Sequence, residues 1–158
     1  MKCIHCGSPL TIKNETHLYD RAGIRATLLN VSVHRCNACG DYEVEIPRIA
    51  QLNQTLANAL IKKPARLTAA EIRFLRKALG WSGVDFARHM GVDPATVSRW
   101  EAGSKMGASA ERLLRLAVSV GTPINDYPLD HLATDLSATP DPAPLRFECA
   151  NAAWRLVA

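Results

Sequence analysis

The chain has 158 residues, 47% of them hydrophobic and 22% charged, with a formal net charge of +4. That length suits one domain or two small ones. No apolar run reaches about 18 residues, which excludes a membrane-spanning helix.

The opening Met1-Lys2-Cys3-Ile4-His5-Cys6 lacks the apolar stretch of a secretion signal. A cytoplasmic protein is expected, and thiols stay reduced there. The five cysteines therefore read as ligands or free thiols rather than disulfides. The charge is uneven along the chain. Residues 1–63 hold eight Lys/Arg against five Asp/Glu, residues 64–120 nine against five, and residues 121–158 two against five. A basic body with an acidic tail suits a polyanionic partner for the body.

The first segment, 1–63, reads as β-rich with one helix. Thr11 to Leu18 and Ile24 to His34 have β-branched alternation, with Thr27, Leu29, Val31 and Val33 predicted on one face. Asp20-Arg21-Ala22-Gly23 is the turn between them, and a third short strand runs from Tyr42 to Ile46 before Pro47. Arg48 to Lys63 places Ile49, Leu52, Leu56 and Leu60 at helical spacing, and Pro64 ends that helix.

The second segment, 64–121, reads as all-α. Thr68 and Glu71 form a capping box for a helix with Ile72, Leu75 and Leu79 inward, stopped at Gly80. Ser82 caps the next helix, with Val84, Ala87 and Met90 inward and a turn at Gly91. Asp93 caps the one after, with Pro94 at its first position, and Gly103 closes it. A further helix spans Ser109 to Val120, with Leu113, Leu116, Ala117 and Val120 predicted as its inner face. The third segment, 122–158, is a short C-terminal extension. Asp135 to Pro144 reads as an extended linker, and Leu145 to Val157 as a small hairpin turning at Ala150-Asn151.

Two copies of C-x-x-C-G stand out, Cys3…Cys6-Gly7 and Cys36…Cys39-Gly40. The two-residue gap aims both sulfurs of a pair at one ion, and the glycine allows the positive φ of such a turn. Two facing turns give four thiolates, the set that structural zinc prefers. One Zn2+ per chain is expected, held by Cys3, Cys6, Cys36 and Cys39. A redox dithiol needs a CxxC entering a helix in a βαβ unit, and that context is missing. Four sulfurs also leave no open position for a catalytic water. His5 is expected to face solvent, His34 to be a sheet histidine, and Cys149 to be a packed or free thiol.

Val84 to Gly103 has the pattern of a helix-turn-helix, with small Ala87 at the crossing and Gly91 at the turn. With Val97 and Trp100 inward, Pro94, Ala95, Ser98 and Arg99 fall on the outer face. Arg99 can make a bidentate contact to guanine, and Thr96 can reach a base or phosphate. Ser82, at a helix N-terminus, can meet a phosphate. Lys105 is either a phosphate contact or a solvated loop charge. Dimerisation is expected, since helix-turn-helix readers commonly use paired half-sites.

At Cys3…Cys6-Gly7, Cys36…Cys39-Gly40 and Val97-Ser98-Arg99-Trp100-Glu101-Ala102-Gly103 the chain resembles MqsA-type antitoxins, also described as YgiT-type zinc-finger/helix-turn-helix proteins. The resemblance covers residues 1 to about 120. It implies an α+β chain: a small zinc-bound N-terminal domain that grips a toxin, then an Xre/Cro-like domain that dimerises and represses the operon. It carries the zinc ligands onto Cys3, Cys6, Cys36 and Cys39 and the recognition-helix arginine onto Arg99. A family asparagine that reads a base near the start of that helix falls on Ala95 here, so that contact is lost. The resemblance says nothing of the C-terminal extension.

Two functions share these motifs. One is an antitoxin of a type II toxin-antitoxin pair, binding the toxin of the adjacent gene and the operator DNA of its own promoter. The other is a free-standing zinc-finger/helix-turn-helix regulator. No nucleophile, acid/base pair or phosphate loop supports an enzyme.

Overall fold

The computed structural model describes residues 1–21, 23–121 and 144–157. The expected turn at 20–23 includes Ala22, which lies outside the described residues, as do residues 135–143 of the expected linker. The elements in chain order are β1 (Leu10–Arg21), β2 (Ile24–Cys36), β3 (Tyr42–Glu45), α1 (Ile49–Lys62), α2 (Ala69–Ala78), α3 (Gly83–Met90), α4 (Pro94–Glu101), α5 (Ala108–Val120), β4 (Leu145–Ala150) and β5 (Ala153–Val157). The fold is α+β, a cysteine-bearing β-rich region followed by helices.

The chain divides into two units. One holds residues 1–20 and 25–52 with the C-terminal segment from Pro144, and the other holds Arg21–Ile24 and the helical residues from Asn53. The first unit is built on a five-stranded sheet of order β1-β2-β4-β5, with β3 also paired to β2. Strand β2 is long enough to take two partners on one side. Its Ser32 to Arg35 pair antiparallel with Glu45 to Tyr42, and its Ala26 to Leu29 pair parallel with Leu145 to Glu148. Parallel neighbours require a long crossover. Here the crossover contains every helix among the described residues, and the segment read as an extension supplies the last two strands of the sheet.

The single-face alternation expected across β2 does not hold. Ile24, Ala26 and Leu28 are buried, then Val31 and Val33. Burial changes phase at Asn30, whose φ is 59°. An extra residue of this kind shifts the side-chain alternation of a strand by one. Thr27 and Leu29 therefore lie on the opposite face and are only half-buried. Side-chain bonds hold the irregularity: Asn14 Nδ2 donates to Asn30 Oδ1 at 3.0 Å, and Asn30 Nδ2 donates to the Cys149 carbonyl at 3.3 Å.

The β4–β5 hairpin turns at Asn151 and Ala152, one residue later than expected, with φ of 51° and 56°. Two consecutive positive φ values suit a tight two-residue turn that matches strand twist. The hairpin buries Phe147 and Trp154, and Trp154 Nε1 donates to the Pro47 carbonyl at 2.6 Å.

In the second unit the caps of α2, α3 and α4 fall where the sequence put them, but the inner face of α3 does not: Val84 is exposed and Met90 half-buried, while Phe86 joins Ala87 in the core. Thr68 and Ser82 make complete capping boxes with Glu71 and Asp85, and Asp93 caps α4 with Pro94 behind it. In α1, Leu52, Leu56 and Leu60 are buried as expected, whereas Ile49 is exposed.

The inner face of α5 differs from the expected one. Glu111, Leu114, Arg115, Val118 and Ser119 are buried, and Leu113, Leu116 and Val120 are exposed. The cause is polar. Arg115 donates to the carbonyls of Ile61 at 3.0 Å, Lys63 at 2.6 Å and Ala65 at 2.8 Å. Glu111 accepts from the Leu67 N–H at 3.1 Å and from Arg115 at 2.9 Å, and its other oxygen lies 2.6 Å from Arg66 Nε. Arg66 also donates to the Met106 carbonyl. The buried backbone between α1 and α2 needs partners, and the side chains that supply them turn α5 so that its leucines at 113 and 116 face outward.

Candidate metal centre and nucleic-acid interface

The two C-x-x-C-G segments fold as matched turns. Cys3 N–H bonds Ser8 O at 2.8 Å and Gly7 N–H bonds Cys3 O at 2.9 Å; Cys36 N–H bonds Asp41 O at 2.8 Å and Gly40 N–H bonds Cys36 O at 2.9 Å. Gly7 and Gly40 take φ of +74° and +78°, the left-handed conformation this turn demands. Position explains how the turns meet: Cys3 and Cys6 precede β1, and Cys36 ends its neighbour β2.

The four sulfurs all lie within 4.8 Å of one another, with Cys3 to Cys39 at 3.6 Å and Cys6 to Cys36 at 3.4 Å. A disulfide would hold its sulfurs at about 2.05 Å, and all four cysteines are free thiols. A tetrahedral ion with metal–sulfur bonds of about 2.3 Å has sulfur–sulfur edges near 3.8 Å. The spacing fits one metal ion. Cys3 and Cys36 are buried, while Cys6 and Cys39 are exposed.

The protons of this cluster are unevenly held. The Ser8 hydroxyl and backbone N–H stabilise the Cys6 thiolate and bring its pKa down to about 6. At Cys39 the Asp41 N–H favours the thiolate, but the sulfurs of Cys36, Cys6 and Cys3 outweigh it and push the pKa up to about 12. Four clustered thiols cannot all ionise without a cation between them. The His5 N–H points at Cys3 Sγ from 3.4 Å, while the His5 residue itself is exposed. His34 is buried in the sheet, with Nε2 3.4 Å from Glu45 Oε2.

In the helical unit, α3 and α4 meet across Gly91, which has φ of 65° and caps α3 through Ala87 and Arg88 carbonyls. Phe86 is fully buried and meets Trp100 edge-on at 6.1 Å, with Ala87 and Val97 buried beside the turn. Behind α4, Glu101 accepts from Arg76 at 2.5 and 3.1 Å and from Arg73 at 3.2 Å. Burial pushes the Glu101 carboxyl up, but the two guanidinium groups outweigh it and hold it below its ordinary value. This ion cluster and the aromatic contact fix the orientation of α4.

Pro94, Ala95, Ser98 and Arg99 are exposed on α4, and Thr96 is half-buried. Arg99 Nη2 donates to Thr96 Oγ1 at 2.8 Å. Lys105 is exposed in the loop before buried Met106. Ser82 is engaged differently from the bare phosphate site read in the sequence. Its hydroxyl and its N–H both bond Asp85 Oδ2, at 2.6 and 3.0 Å. A phosphate approaching Ser82 would face a carboxylate. Trp81 stacks on His89 at 4.2 Å on the flank of α3, a pairing that eight-residue spacing across a turn and a helix gave no reason to expect.

Residues 72–127 match the family HTH_3, described as helix-turn-helix. The chain carries a helix-turn-helix. The match begins within α2 and includes α3, α4 and α5. It supports a DNA-binding regulator. Among curated proteins no match was found, and among solved structures none was found either. No helix among the described residues is long and apolar enough to cross a membrane.

Proposed function

We propose that this protein is the antitoxin of a type II toxin-antitoxin pair. Its cysteine-centred unit neutralises a toxin encoded by the adjacent gene, and its helix-turn-helix represses the shared operon as a homodimer on operator DNA. The observation that carries the reading is the separate sheet unit, closed around four sulfurs that leave a metal no open position. DNA reading does not require such a unit, and chemistry at a saturated metal is a poor use of it. A rigid sheet with an outer strand such as β1 suits a protein partner, which can add a strand to that edge.

The metal in this reading is Zn2+, one per chain, held by Cys3, Cys6, Cys36 and Cys39. Its role is structural: zinc contributes on the order of 10–16 kcal/mol in small modules, against total domain stabilities of about 5–15 kcal/mol. The DNA-contacting residues are Arg99, Thr96, Ser98, Ala95 and Pro94 on α4, with Lys105 on a phosphate; Ser82 is left out because the Asp85 carboxylate occupies it.

The test is co-expression of the full chain with the neighbouring gene product. A stable complex and restored growth are expected. A neighbour that is harmless, or that forms no complex, favours the free-standing regulator. One feature supports that second reading: the sheet already takes strands β4 and β5 from its own chain.

A further inference from the structure

The outward surface of α4 is chemically sparse. Pro94, Ala95, Ser98, Arg99 and Ala102 are exposed there. No amide side chain is among them, so nothing is offered to the paired donor and acceptor of adenine. The carboxylate of Glu101 is bound by Arg73 and Arg76, so it is not offered to the cytosine amine. What remains is one guanidinium fork, the Ser98 hydroxyl, which can bond any base, and a patch of small apolar groups. Among the described residues no carboxylate pairs with Arg99, and its Nη2 donates instead to the Thr96 hydroxyl at 2.8 Å. Thr96 is β-branched and half-buried, so its own rotamer is restricted.

We propose that α4 recognises its half-site through two features: a guanine read by Arg99, which Thr96 holds in position, and a thymine 5-methyl group packed on Ala95 and Pro94. The inference rests on the DNA-binding reading of α4 and deepens it. Arg99 spends one donor on Thr96 and keeps its others for guanine O6 and N7, which take a bidentate contact. Thr96 is a positioning residue, since it fixes the fork without needing to touch the base. Ala95 and Arg99 are four residues apart on one face of α4. Four residues of helix rise about 6 Å, and base pairs are spaced about 3.4 Å along a strand. The guanine and thymine therefore lie one or two base pairs apart.

The test uses the zinc-loaded full chain and selection from random-sequence duplex DNA. The selected duplex is then remade with 7-deazaguanine for guanine, or deoxyuridine for thymine. Each replacement is expected to weaken wild-type binding: 7-deazaguanine, which removes N7 and keeps O6, by about 5-fold or more and by less than the roughly 150-fold upper range for a whole bidentate contact, and deoxyuridine by a few-fold. The Arg99→Ala variant is expected to be indifferent to 7-deazaguanine, and Ala95→Gly to respond less than wild type to deoxyuridine. Thr96→Val is expected to lose part of the guanine preference and none of the thymine preference, and Thr96→Ser to restore it. Circular dichroism of each variant separates misfolding from lost contact. An enriched site that binds equally well with both analogues overturns the inference and leaves DNA binding standing. Equal effects of Thr96→Val and Thr96→Ser overturn the positioning role. No enriched sequence at all overturns the DNA-reading assignment of α4 together with the inference.

Discussion

Glu111 and Arg115 stand one turn apart in α5 with their charged groups at 2.9 Å, both buried inside the helical unit. Arg66 approaches the other oxygen of Glu111, so one carboxylate serves two guanidinium groups. Removing one partner of a buried ion network leaves the others uncompensated, at a cost of about 3–5 kcal/mol. Glu111→Ala is expected to lose that much in chemical denaturation of the helical unit. A loss below about 1 kcal/mol would show that the network is not the fastening described here.

The β4–β5 turn carries a correctable strain. Ala152 has φ of 56°, where an alanine side chain crowds its own backbone. Glycine there is expected to raise stability by about 1 kcal/mol. Thermal denaturation of Ala152→Gly checks this, and an unchanged or lower midpoint goes against the turn geometry.

Glu101 gives the helical unit a defined response to acid. Arg76 and Arg73 hold its folded pKa below the ordinary value of 4.5. A carboxyl depressed on folding adds stability that is present above its unfolded pKa and lost as pH falls through the folded one. The stability gap between wild type and Glu101→Gln is therefore expected to be full near neutrality and to close below about pH 4.5. A gap that stays constant into acid contradicts the ion cluster as the source of the shift.

Much of this was legible in the sequence, because it is written locally. The caps at Thr68, Ser82 and Asp93 each need only a residue and a neighbour two or three positions on. The cysteine pairs repeat one turn motif, and Gly91 marks the helix-turn-helix corner. The misreadings came from distant partners. Asn30 reverses the phase of β2 through bonds to Asn14 and to Cys149, the latter 119 residues away. Apolar periodicity favoured Leu113, Leu116 and Val120 as the inner face of α5, and carbonyls from residues 61–65 selected Arg115 instead. The parallel pairing of β4 with β2 leaves no local signal in either strand.

The sheet topology also changes what a metal experiment reads. Cys36→Ser is expected to abolish metal binding and to disorder the whole sheet unit, including the buried Trp154 of β5, while the helices stay folded. Elemental analysis is expected to give one zinc per wild-type chain. Freshly purified, unchelated protein without zinc would falsify the assignment. Trp154 fluorescence that ignores chelation would separate the hairpin from the metal centre.

At the DNA surface, Arg99→Ala is expected to cost about 1–3 kcal/mol and to relax preference at one base pair of each half-site. Lys105→Ala is expected to weaken all sequences alike and to flatten the salt dependence. Binding titrations on promoter and scrambled duplexes distinguish the two. An Arg99→Ala variant that holds its promoter as tightly as wild type places the reading face elsewhere.

In the proposed division of labour, toxin neutralisation belongs to the sheet unit and DNA reading to α4. Growth of cells expressing the neighbouring gene product, together with full-length variants of this chain, tests it most directly. Wild type and Arg99→Ala are expected to restore growth equally, and Cys36→Ser is expected to fail. Rescue that is lost with Arg99→Ala, or kept with Cys36→Ser, contradicts it.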